Sequence, residues 1–156
     1  MRQGKLKGVT LIELIWVIVI MGVALPVLLR MWADVAWRGV RSEAIADATF
    51  YAQELMEEIK SKRFDENITP PWSATLGPNS GESGRASFDD VDDFNGYSDT
   101  PATGYTRTVA VNYAALSGST WTVSGTSTDF KQITVVINHN KNFFKDLTLV
   151  TIEGAY

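Results

Sequence analysis

Four carboxylates fall within five consecutive residues at Asp89-Asp90-Val91-Asp92-Asp93, between Phe88 and the run Phe94-Asn95-Gly96-Tyr97, and Asp99 follows shortly after. Oxygen donors at this density suit Ca²⁺, which takes about six to eight oxygen ligands. The spacing is not that of an EF-hand loop, because no alternating-acid register with a central Gly and a closing Glu runs through it. Acids beside Asn-Gly also make turns. The expectation is therefore a solvated turn anchored by Phe88, Phe94 and Tyr97, with calcium ligation by Asp89, Asp90, Asp92 and Asp93 as the alternative and no other cofactor. A fifth carboxylate, Glu13, is the single charge in the 21-residue block 9–29. A charge at the centre of a membrane helix costs roughly 2.5–3.5 kcal/mol on insertion scales, so an ionisable residue there is a functional candidate. Four residues in from Val9, Glu13 can lean toward lipid headgroups, which explains its tolerance but not its presence.

Other chemistries are poorly supplied. The 156-residue chain has no Cys and one His, His139, which removes disulfides, thiol nucleophiles and multi-histidine metal centres. His139 lies in the polar run His139-Asn140-Lys141-Asn142, which reads as a turn, and no motif relates a Ser or Asp to it, so no catalytic residues are assigned and an enzyme is not expected. With 14 basic against 18 acidic residues, the net charge of -4 argues against a nucleic-acid partner.

The elements that position these groups are legible from periodicity. Block 9–29 extends about 30 Å as a helix at about 1.5 Å per residue, the thickness of a bilayer's hydrocarbon core. Gly22 and Pro26 predict a kink or weak point in it. Beyond it, Ile45, Ala48, Ala52, Leu55, Met56 and Ile59 recur at steps of three or four, which continues the helix to about Lys62; Asp65, Asn67 and Pro70-Pro71 stop it. Residues 64–104, rich in Gly, Pro, Ser and Asp, form a long loop region. Tyr105, Val109, Val111 and Tyr113 then alternate with polar or small residues, as do Ile133, Val135 and Ile137; Trp121 to Val123 and Leu147 to Ile152 are further strand candidates. These features predict an α+β fold, a long N-terminal helix packed on a small antiparallel sheet.

The string Gly8-Val9-Thr10-Leu11-Ile12-Glu13-Leu14-Ile15, preceded by Arg2, Lys5 and Lys7 with no acid, resembles the class III signal of type IV prepilins and pseudopilins. The resemblance implies a pilin-like fold and cleavage by a prepilin peptidase after Gly8. It also implies methylation of the new amino group on Val9, where the family more often has Phe, and a role for Glu13 in subunit assembly. Removing residues 1–8 takes away three basic residues and leaves a 148-residue chain of net charge -7. The new amine at Val9 and the carboxylate of Glu13 can then pair between neighbouring subunits in an apolar filament core, where an unpaired charge is costly.

Gln53-Glu54-Leu55, Arg63-Phe64-Asp65-Glu66-Asn67, Leu76-Gly77-Pro78 and the acidic run are similar to minor pilins of the mannose-sensitive haemagglutinin type. The organisation this implies is a leader, 1–8; a membrane-spanning and filament-core segment, 9–29; a helical continuation, 30–63; and a globular head, 64–156. The expected partners are other pilin or pseudopilin subunits, the prepilin peptidase, an inner-membrane assembly platform and membrane lipid. The expected location is the bacterial inner membrane with the head in the periplasm, then a pilus or secretion pseudopilus. A membrane-anchored periplasmic adhesin with an uncleaved anchor is the alternative.

Overall fold

The computed structural model describes Gly8 and residues 10–155; the leader up to residue 7, Val9 and Tyr156 lie outside the described residues. Helix α1 runs from Leu11 to Lys60, 50 residues, against a globular mean of about 11–12. It opens on Thr10, whose hydroxyl accepts the Glu13 N–H at 3.4 Å, as an N-cap does. The helix is continuous through Pro26, whose missing N–H costs the bond to the Gly22 carbonyl. It ends two residues before the expected Lys62, where the Ser61 amide is shared between the Glu57 and Glu58 carbonyls, both at 3.1 Å.

The chain divides into two compact units, residues 1–40 and 41–156, and α1 crosses the division. In the first unit, every described residue from Thr10 to Val40 is exposed, and the large hydrophobics among them are unpartnered on all sides. By length and apolarity this stretch can cross a membrane.

In the second unit the buried face of α1 is Ala44, Ala48, Ala52, Leu55, Met56 and Ile59. Ala44 holds the place expected of Ile45, which is exposed. Steps of four from Ala48 lead back to Ala44, whereas a step of three points Ile45 to the side. This face packs on an antiparallel sheet of five strands among the described residues: β1 (Ser98–Asp99), β2 (Tyr105–Ser117), β3 (Thr120–Val123), β4 (Phe130–His139) and β5 (Leu147–Gly154). The order is β1-β2-β4-β5, with β3 turned back on the end of β2. Tyr105 to Tyr113 of β2 lie opposite His139 to Lys131 of β4, and Phe130 to Ile137 lie opposite Gly154 to Leu147 of β5.

The core contains Leu55, Met56 and Ile59 from the helix and Val109, Val111, Ile133, Val135 and Ile137 from the sheet. Phe88, Val91 and Phe94 come from the loop region. That region contains two single-turn 3-10 helices, Arg85–Ser87 and Asp92–Phe94, and a parallel bridge between Arg63 and Asp90. His139 is not in a polar turn. It ends β4, buried, with its ring 4.7 Å from Tyr105 and stacked at 4.6 Å on Phe143. The reversal begins one residue later and uses the positive φ of Asn142.

Candidate functional site

The acidic run is not a solvated turn. Asp90, Asp92 and Asp93 are fully buried, and Asp89 alone of the four is exposed. Short polar side chains make this possible by hydrogen bonding their own backbone. Oδ1 of Asp90 accepts the amides of Asp92 and Asp93 at 2.9 and 3.2 Å, and Oδ2 of Asp93 accepts those of Asp89 and Asp90 at 2.8 and 3.1 Å. The Val91 amide donates to the Arg63 carbonyl at 2.9 Å, which ties the turn to the chain just after α1. Phe88, Phe94 and Tyr97 anchor it as expected, their rings meeting edge to face at 5.0 to 6.0 Å.

One cation enters this turn from the sheet. Lys131, fully buried, donates through Nζ to the Phe64 carbonyl at 2.5 Å, to Asp65 Oδ2 at 3.1 Å and to Asp92 Oδ1, and lies 4.5 Å from the Phe64 ring centroid. Asp65 is held by several further donors: the Asn67 amide, the Ser73 amide and hydroxyl, and the Tyr113 hydroxyl. Burial opposes its charge, but the bonds from Asn67, Ser73 and Lys131 outweigh burial and lower its pKa. Asp90 and Asp92 move the other way. Burial, then the charges of Asp92, Asp93 and Glu66, push Asp90 up to about 8. Burial raises Asp92 as well, against the pull of Lys131.

Three oxygens in the turn have no hydrogen-bond partner among the described residues: Oδ2 of Asp90, Oδ2 of Asp92 and Oδ1 of Asp93. The four carboxylates read as one calcium candidate do not converge on one centre. Asp90 and Asp92 meet Glu66, with one carboxylate oxygen from each residue all within 4.8 Å of one another; Asp89 and Asp93 meet Glu82 in the same way. Glu66 and Glu82 were not among the candidates, and nothing local to the chain marks them.

A second ionic cluster lies between α1 and β1–β2. Arg107, 1% exposed, grips Asp99 with Nε and Nη2 at 2.8 and 2.7 Å, while Nη1 donates to Glu54 and to the Tyr51 carbonyl at 2.8 and 2.7 Å. Arg85 reaches Glu58, Glu54 at 3.1 Å and Asp99 at 3.4 Å. Bonds from Arg107, outweighing burial, lower the pKa of Glu54; burial opposes the charge of Asp99, and Arg107 and Tyr97 more than offset it. Arg107 and Lys131 escaped the reading of the sequence, yet a signal was present. Each shares the parity of its strand's apolar face, Arg107 with Tyr105, Val109 and Val111, and Lys131 with Ile133, Val135 and Ile137.

Of the residues in the N-terminal junction, Gly8 is exposed, Val9 lies outside the described residues, and Glu13 sits in the first turn of α1. An acid there faces the positive end of the helix dipole, and Thr10-Leu11-Ile12-Glu13 has the spacing of a capping box. Glu13 thus occupies the position from which an acid favours the start of a helix. Comparison with protein-family models, curated proteins and solved structures finds no match.

Proposed function

We propose that the chain is a type IV pilin-like subunit, a minor pilin or pseudopilin, cut after Gly8 by a prepilin peptidase and assembled through its N-terminal helix into a pilus or secretion pseudopilus. One observation carries the reading: the junction Gly8-Val9-Thr10-Leu11-Ile12-Glu13 opens directly into a helix that carries no charge from Leu14 to Leu29 and whose described residues are exposed as far as Val40. A surface of that extent needs lipid or other helices to cover it. In the assembled state neighbouring subunits replace lipid, and the Glu13 carboxylate meets the amine freed at a neighbour's Val9. That pairing selects register more than it adds net stability.

The test is co-expression with a prepilin peptidase and mass spectrometry of the amino terminus. Loss of residues 1–8 with a methyl group on Val9 is the expected result; a chain that keeps Met1 while filaments form normally overturns the reading and favours an uncleaved membrane-anchored adhesin. Two substitutions separate the roles of Glu13. Glu13→Val should insert in the membrane yet fail to enter filaments, and Glu13→Gln, which keeps a capping-box residue but removes the charge, should fail nearly as badly. Normal incorporation of Glu13→Gln assigns Glu13 to helix capping instead.

A further inference from the structure

We propose that Glu66, Asp90 and Asp92 form a Ca²⁺ site in the head. One carboxylate oxygen from each of the three residues lies within 4.8 Å of the other two. Three oxygens at most 4.8 Å apart leave a centre no more than about 2.8 Å from each, so a shift of a few tenths of an ångström at most brings all three to the roughly 2.3–2.6 Å of calcium ligands.

The second observation is the pair of orphan oxygens. Asp90 and Asp92 are fully buried, and in each one oxygen is already engaged: Oδ1 of Asp90 by the amides of Asp92 and Asp93, Oδ1 of Asp92 by Lys131. Oδ2 of each has no partner among the described residues. A buried carboxylate oxygen without a donor carries a desolvation penalty of about 1–3 kcal/mol or more.

Lys131 does not answer this demand, because its bonds go to Phe64, Asp65 and Asp92 and none reaches Asp90. Asp65, Glu66, Asp90 and Asp92 together bring four potential negative charges against that ammonium and the Arg63 guanidinium, which is itself bonded to the exposed Asp89. A divalent ion beside Asp90 and Asp92 offsets this excess of carboxylates and gives their free oxygens a partner. Glu66 is half-buried and provides the approach from solvent. The all-oxygen donor set is that of a hard cation, and calcium fits better than magnesium, which retains several waters and gives them up reluctantly.

The site is independent of how the chain assembles, and its test needs no filaments. The full chain in detergent, stripped with chelator, is titrated with CaCl₂ by calorimetry and its melting midpoint followed at neutral pH. One ion per chain and a higher midpoint in Ca²⁺ than in chelator are expected. Asp90→Asn and Glu66→Gln should weaken binding at least about tenfold, while Asp89→Asn, on an exposed residue paired with Arg63, should leave it unchanged. If Asp90→Asn does not fold, the half-buried Glu66→Gln decides. Identical melting of the parent chain in Ca²⁺ and in chelator overturns the site; so does unimpaired binding by Glu66→Gln, and so does equal weakening by Asp89→Asn, which marks diffuse attraction to an acidic surface.

Discussion

Arg107 and Lys131 enter the core of the head from neighbouring hydrogen-bonded strands, and the clusters around them differ in balance. Around Arg107 and Arg85, two guanidinium groups face Glu54, Glu58 and Asp99, and the planar fork of Arg107 takes both oxygens of Asp99. Around Lys131, one ammonium faces Asp65 and Asp92 with Asp90 and Glu66 close behind, and carboxylate oxygens stay unbonded. The first arrangement is internally satisfied and fastens α1 to the sheet. The second leaves buried oxygens of Asp90, Asp92 and Asp93 without a donor among the described residues, and those oxygens, absent from the first cluster, are what the proposed calcium site rests on.

The comparison breaks most sharply at Arg107. Replacing it with Leu takes the two-pronged partner from Asp99 and leaves Asp99 and Glu54 only Arg85 and the Tyr97 hydroxyl, a loss of about 3 kcal/mol, at the low end for a broken buried pair; denaturant unfolding of the full chain in detergent should show that loss equally with and without Ca²⁺. Lys131→Met should cost somewhat less, and Ca²⁺ should restore part of it, because a divalent ion at Asp92 substitutes for the missing ammonium. Absence of any difference in Ca²⁺ response between the two variants would erase the distinction between the clusters.

Acidification gives the next effect. Glu54 and Asp99 have pKa values lowered from 4.5 and 3.8, so their stabilisation is complete above those values and disappears as pH falls through the lower folded values. The melting midpoint should therefore drop as pH goes below about 4, and Arg107→Leu should flatten that part of the profile. Arg85→Ala, at a partly exposed position, should cost about 1 kcal/mol. Asp89→Asn removes an exposed pair with Arg63 and should not measurably change stability.

Much of this was readable along the chain. The apolar steps of α1, its stop before Pro70-Pro71, and the alternation in β2 and β4 depend on neighbours within a few residues. The same alternation also carried Arg107 and Lys131 inward, and it was overlooked because a charged residue is usually assigned to the solvent face. The acidic run misled for a related reason. Asp beside Asn-Gly is ordinarily wet, but these aspartates bond their own amides and are covered by Phe88, Phe94 and a lysine 38 residues beyond Asp93. Glu66 and Asp90, 24 positions apart, meet because the chain after α1 pairs with the turn through Arg63.

The amino-acid order alone determined the long apolar helix, the position of Glu13 one turn inside it, and which parity of each strand faces inward, because hydrophobic periodicity is a property of adjacent residues. Tertiary structure decided which charges found counterions and which oxygens were left without one. Coulomb energy and hydrogen bonding act across space, and the groups that satisfy Asp99, or leave Asp90 unsatisfied, come from segments the chain brings together only by folding.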